Sequence, residues 1–181
     1  ITLLEGEVRT SHGRIACQQI VVAIDGGLEQ ILPELQGRVR SARLQMLATA
    51  PTSDIRVPRP VYYRWGHEYW QQLPDGSIAL GGFRDLGGES EWGAPAVPSA
   101  SVQGQLEHFL RQQLHIQAPI THRWAARVSY SDAQLPLVEQ VRAGIWALGA
   151  YNGTGNVMGA VCGRAVAAVI ATGARDELAD L

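Results

Sequence analysis

Cysteine is scarce. The 181 residues hold two, Cys17 and Cys162, without the paired spacing of a disulfide framework or a zinc site. A reducing, cytoplasmic setting is the default expectation, and Cys162, inside an apolar run, reads as a small core residue. Five histidines are scattered with no HExxH pattern, so no metal site is assigned. A Gly-x-Ser-x-Gly elbow is absent, which leaves a serine hydrolase unsupported. The formal charge is −2 and no lysine/arginine cluster stands out, which argues against a nucleic-acid or anionic-membrane surface. The most apolar stretch, from Val157 onward, is interrupted by Arg164 and reads as too short for a transmembrane segment. There is also no initiating methionine, basic leader or signal peptide, and the chain opens on strand-like residues. A fragment lacking an N-terminal portion is therefore expected.

What is present is ordinary globular material, 46% hydrophobic. Glu7–Thr10, the turn at 11–14 and Ile15–Ile24 read as a hairpin followed by a strand. Ile20 to Ile24 is continuously apolar, as in a strand covered on both faces. Asp25-Gly26-Gly27 ends it, before a short helical piece at 28–35. Val39–Ala50 is extended, and three prolines between 51 and 60 demand a loop. Val61–Trp65 and Glu68–Leu73 pair as a hairpin, and Ser77–Leu80 adds a strand. Tyr62, Tyr63, Trp65, Tyr69 and Trp70 make this sheet aromatic, mostly as structural pairs. Residues 87–98 are loop-like, with Glu89 and Glu91 solvated. Ser99 or Ser101 caps an amphipathic helix bearing Val102, Leu106, Phe109, Leu110 and Leu114 on one face. Strands at 121–130, 135–141 and 145–148 follow.

The chain is organised around Gly149-Ala-Tyr-Asn-Gly-Thr-Gly-Asn156 and the helix after it, with Gly173 as its stop. Gly153 and Gly155 let the backbone approach a ligand. The helix N-terminus offers unpaired N–H groups and partial positive charge. A packing helix with a flexible entry turn meets the same pattern. Gly155, Gly159 and Gly163 leave one helix face bare for close packing. On the strand at 121–130, an inward guanidinium from Arg123 or Arg127 would clamp a carboxylate, whereas a surface arginine would simply pair with an acid.

Four segments in order resemble the D-amino-acid-oxidase-like FAD-dependent oxidoreductases, the family of glycine and sarcosine oxidases and amino-acid dehydrogenases. Ile20-Val-Val-Ala-Ile-Asp-Gly-Gly27 resembles that family's apolar strand and glycine turn, departing at Asp25 and Gly27. Arg43-Leu-Gln-Met-Leu-Ala-Thr-Ala-Pro51 resembles its crossover strand, with Leu44 in place of glycine. His122-Arg-Trp-Ala-Ala-Arg-Val-Ser-Tyr-Ser-Asp-Ala-Gln-Leu-Pro136 resembles a third motif with one extra residue near Gln134. Gly149 to Asn156 resembles the flavin loop.

The resemblance implies an α+β fold. An antiparallel or mixed sheet packed with helices would form the substrate-binding domain, residues 40–140. Residues 1–39 and 141–181 would be pieces of a Rossmann-like FAD domain whose N-terminal GxGxxG segment is not in this chain. It implies FAD as cofactor in the intact protein, with little or no affinity in the chain alone. The reaction implied is hydride transfer from a substrate carbon bearing an amine to flavin N5, giving an imine. Gly26, Gly153, Thr154, Gly155, Asn156 and Val157 are implied as cofactor-binding residues, Tyr69 and Arg127 as substrate-binding ones. Asn152 falls near the ring without an assigned role, and no catalytic residue is assigned. The partners implied are a small amine or amino acid and the absent FAD-domain segment; an exposed cofactor face is also compatible with a homo-oligomer. The alternative is a binding or interaction domain that keeps the family fold without redox chemistry.

Overall fold

Short polar-apolar alternations at the start of the chain fold into a three-stranded antiparallel meander of β1 (Thr2–Leu4), β2 (Glu7–Thr10) and β3 (Gly13–Ala16). Gly6, at φ 78°, turns the chain between the first two strands where a side chain would be strained. The computed structural model describes residues 1–173, so the last eight residues of the expected 141–181 segment lie outside the described residues. The chain divides into two units. Ile1–Ser41 belongs with the residues from Val128 onward, and Ala42–Arg127 forms the other.

In the first unit β4 (Ile20–Val22) lies parallel to β11 (Ile145–Gly149), and β10 (Leu137–Arg142) lies antiparallel to β11 on its other side. Every residue of β11 is buried, as expected for the middle strand of three. Successive side chains point to opposite faces, so the apolar strand feeds two cores. Ile145 and Ala147 join Leu28 of α1 (Leu28–Ile31), Leu32 and Leu35, while Trp146 and Leu148 join Cys162, Val166 and Val169 of α4 (Gly155–Thr172). Cys162 is a core residue.

The strand at 20–24 is shorter and more exposed than its apolar run suggests. Only Ile20–Val22 is extended, and Val21 and Ile24 are 43% and 53% exposed. The reason is position: β4 ends the strand order, so its apolar residues do not all face a neighbouring layer. A second correction concerns α4. With Gly155 and Asn156 in its first turn it reaches 18 residues, long and apolar enough to cross a membrane by length and composition alone. The core helix of a domain passes that same test, and Ala165, Val166 and Val169 of α4 are buried. Gly173, at φ 74°, ends it as a left-handed cap whose N–H donates to the Val169 carbonyl.

The five-stranded sheet runs β6 (Val61–Tyr63), β7 (Glu68–Gln72), β8 (Ile78–Gly82), β5 (Val39–Thr49) and β9 (Ile120–Ser131); residues 39–41 and 128–131 of its last two strands count with the first unit and the rest with the second. β5 and β9 are the strands through which the chain enters and leaves this unit. From Arg43 onward the odd-numbered residues of β5 are buried, which is the period of a strand with one covered face. α3 (Ala100–Gln112) supplies Val102, Leu106 and Leu110 to a core with Leu47, Ile78, Leu80 and Phe83. Ser99 is its N-cap, accepting from the Val102 N–H.

The expectation of a solvated Glu91 is overturned. Glu89 is exposed, but the chain after β8 coils into α2 (Arg84–Gly87) and a 3₁₀ turn ending at Glu91, which turns that carboxylate inward. Glu91 is 1% exposed and accepts two hydrogen bonds from Arg43, at 2.7 and 2.6 Å, and one from Gln45 at 3.0 Å. Arg43 donates a third hydrogen bond to the Val97 carbonyl, and Gln45 and Ser99 bond each other reciprocally. Such pairing is what a buried charge requires.

Candidate functional site

Because β4 and β11 are parallel, their carboxyl ends open on the same side, the place where α/β folds present ligand-binding loops. Two loops leave there. One is the Asp25-Gly26-Gly27 turn into α1, the other is 150–154 leading into α4. Gly149 lets them meet: a Cβ there would lie 2.3 Å from Leu28 Cδ1 and 3.1 Å from Asp25 Cα. Gly26 is half-buried in the first loop, and the Gly27 N–H donates to Ser41 Oγ at 2.7 Å.

The second loop winds through left-handed backbone at Ala150, Asn152 and Gly153, with φ of 50°, 53° and 91°. Its own polar groups are partly spent internally. The Thr154 N–H and hydroxyl both donate to the Tyr151 carbonyl, at 2.9 and 2.6 Å. Val157 and Met158 donate to the Thr154 carbonyl. Since the Thr154 hydroxyl is turned back to Tyr151, α4 has no side-chain cap. Three amides, those of Gly153, Gly155 and Asn156, have no acceptor among the described residues. Two of them sit on the positive end of a helix of 18 residues. A Cβ on Gly153 would meet nothing within 4 Å, so the loop is open there, and Val157 beside it is 67% exposed. Of residues 153–157, the amides of Thr154 and Val157 are thus internal supports, and the other three have no acceptor among the described residues.

The bare face of α4 also has an explanation. The buried Tyr151 ring lies against Gly155 and Gly159, where added Cβ atoms would stand 3.4 and 3.7 Å from it, whereas Gly163 meets nothing. Burial pushes the Tyr151 hydroxyl pKa up, and it does the same to the Asp25 carboxyl. Asp25 stays bonded nonetheless, accepting from the Ser129 N–H at 3.2 Å and the Tyr151 N–H at 3.4 Å. No motif links Asp25 to its partner Ser129, or Asn152 to Ser131; the one signal for Asp25 was its departure from a glycine in the strand motif.

The two residues assigned to substrate are both on the second unit. Tyr69 stands on β7 opposite Tyr62 of β6 and Gly81 of β8. Its ring covers Gly81, where a Cβ would come within 2.5 Å of it, and lies 6.0 Å from the Tyr62 ring. The close approach of Gly81 to the Tyr69 ring is a contact that sequence reasoning passed over. Phe109 instead meets the Trp70 and Phe83 rings at steep angles, at 5.5 and 5.6 Å, against the core. The two arginines of β9 separate clearly. Arg123 bonds Gln103 and pairs with Glu107, an ordinary ion pair. Arg127 is half-buried and has no hydrogen-bond or ion-pair partner among the described residues.

With this geometry in place, comparison with known proteins is informative. The family model described as FAD dependent oxidoreductase matches residues 2–169, and the chain belongs to that family. Comparison with curated protein sequences finds no significant match. Among solved structures, L-proline dehydrogenase from P. horikoshii is similar at a TM-score of 0.71 and 17% identity, over 93% of this chain and 46% of that one. Glycine oxidase from Bacillus cereus gives 0.71 and 14%, over 91% and 46%. Iminodiacetate oxidase from Chelativorans sp. gives 0.65 and 18%, over 91% and 45%. At these identities the likeness is one of fold, and the chain spans about half the length of those structures.

Proposed function

We propose that this chain contributes to an FAD-dependent oxidoreductase acting on an amine or amino acid. The observation that carries the reading is the trio of amides, Gly153, Gly155 and Asn156, without an acceptor among the described residues, at the start of α4 beside the carboxyl ends of parallel strands. That donor set fits the carbonyl-bearing edge of a flavin ring, which needs N–H donors and a positive field rather than a charged side chain. Family membership supports the same cofactor. When bound, FAD supplies the two-electron acceptor for oxidation of a carbon–nitrogen bond.

The protein's own residues then have distinct tasks. Gly153, Gly155 and Asn156 hold the ring edge and stabilise negative charge that grows there. Thr154 and Val157 brace the loop through their internal hydrogen bonds. Gly26 lets the first loop pass close to the cofactor. Arg127 binds a substrate carboxylate, for which a guanidinium without a partner among the described residues is suited, and Tyr69 packs against the rest of the substrate.

The test uses the natural polypeptide that carries this chain. It is purified and scanned for a flavin absorption band, then assayed with amino acids, secondary amines and amines lacking a carboxylate. Bound FAD and turnover with one of these classes support the reading. A protein free of flavin that also fails to take up added FAD would leave the non-catalytic binding domain as the better account.

A further inference from the structure

The loop that presents the three free amides is conformationally expensive. Non-glycine residues at positive φ are strained and persist only when their surroundings hold them. Ala150 and Asn152 both adopt such values. What holds them is a short stretch of β9. Alternate N–H groups of a strand point to the same edge, and those of Ser129 and Ser131 each donate to a side chain from a loop. Ser131 N–H donates to Asn152 Oδ1 at 3.0 Å, and Ser129 N–H to Asp25 Oδ2 at 3.2 Å. Asn152 also donates from Nδ2 to the Ala150 carbonyl at 2.8 Å and to the Leu135 carbonyl at 3.3 Å. On the other side, Asp25 Oδ1 accepts from Tyr151 N–H, and Ser129 Oγ donates to the Asp25 carbonyl at 2.6 Å.

We propose that Asn152 and Asp25 are positioning residues that dock the loop 150–154 onto the edge of β9 and so set the direction of the free amides of Gly153, Gly155 and Asn156. Asn152 does this twice over, since its carboxamide bonds both its own loop and the β9–β10 turn. The side-chain acceptors take the place that a neighbouring strand would occupy, which lets the loop keep amides unpaired for a ligand. The identity of that ligand rests on the functional reading above; the docking of the loop does not.

The experiment measures amide hydrogen exchange in the full chain for wild type, Asn152→Gly, Asn152→Ala and Asn152→Asp. Asn152→Gly keeps the left-handed backbone accessible while removing every side-chain bond, so it separates docking from backbone strain. In Asn152→Gly, exchange at the bonded amides within 150–157, those of Tyr151, Thr154 and Val157, is expected to rise about tenfold, the effect of losing roughly one net hydrogen bond, with α3 unchanged. Asn152→Asp, which keeps the acceptor for Ser131, is expected to fall between the two. Where Asn152→Ala fails to fold, Asn152→Gly still decides. Wild-type exchange over 150–157 in Asn152→Gly overturns the proposal, and so does a uniform rise across the whole chain, which would mean a role in global stability only. In the flavin-loaded natural polypeptide the same series is read by the position of the flavin absorption band and by FAD affinity. A shifted band and weaker binding in Asn152→Gly, partly restored in Asn152→Asp, support positioning. An unchanged band and affinity overturn it. A wild-type protein that binds no flavin yet shows the exchange pattern removes the functional reading and leaves the docking intact.

Discussion

Arg43 and Glu91 form a forked ion pair inside the second unit, two parallel hydrogen bonds of 2.7 and 2.6 Å with the acid 1% exposed. Gln45 completes the acid's coordination, and no buried side-chain polar atom among the described residues lacks a partner. Removing one member leaves an uncompensated charge, so Glu91→Ala should cost about 3 kcal/mol. Denaturant unfolding of wild type and variant measures it; a loss under about 1 kcal/mol would place the pair with ordinary surface ion pairs.

The same acid sets a pH response. Burial alone would raise the Glu91 pKa, but the Arg43 and Gln45 hydrogen bonds outweigh it and hold the carboxyl below its ordinary value of 4.5. A depressed folded pKa means the unfolded state binds the proton more readily. The contribution of Glu91 is therefore fully present above pH 4.5 and lost as pH falls through the folded value. Asp25 works oppositely: its raised pKa makes its contribution largest in acid and smaller as pH rises past the ordinary 3.8. Thermal melts of wild type and Glu91→Gln between pH 3 and 7 separate them (the range brackets ordinary carboxylates, about 4). The wild-type curve should fall faster in acid than that of Glu91→Gln.

Trp65 is fully exposed on the β6–β7 turn with φ 55°, between Arg64 and Gly66, both also at positive φ. A bulky side chain gains nothing there to offset the strain. Trp65→Asn creates an Asn-Gly pair suited to left-handed backbone, and the melting temperature should rise by about 2 °C. A fall would mean that the indole has packing partners in solution.

Arg127 has no side-chain partner among the described residues, so Arg127→Ala should leave the melting temperature within about 1 °C of wild type. In the natural polypeptide it should raise KM for a carboxylate substrate on the order of tenfold or more and spare amines that lack one. Equal kinetics on both classes would take Arg127 out of substrate binding.

Gly81→Ala forces the Tyr69 ring away, since the added Cβ would sit 2.5 Å from it. Stability should drop by about 2 kcal/mol, the range of overpacked sites. KM should also rise if Tyr69 meets the substrate, and Tyr69→Phe, which keeps the ring on Gly81, separates the two effects.

Much of the fold was legible because it is written in local periodicity. The apolar run 145–148, the one-faced helix behind Ser99 and the glycine stop at 173 each follow from spacing along the chain alone. The glycine-rich loop stood out for the same reason, since tight backbone turns demand glycine in sequence. The fate of individual polar side chains was not legible. Glu91 looks solvated in its loop, yet its partner Arg43 is 48 residues away. Asp25 and Ser129 lie 104 residues apart, and no motif joins them. Likewise two arginines on one strand look equivalent until Arg123 pairs with Glu107 and bonds Gln103, whereas Arg127 has no side-chain partner among the described residues. Sequence by itself determined where strands, helices and glycine turns form, because backbone sterics and burial act over a few residues. Which charges pair, which amides stay free and which glycines sit under a ring were decided only by tertiary structure, because those contacts join residues that folding alone brings together.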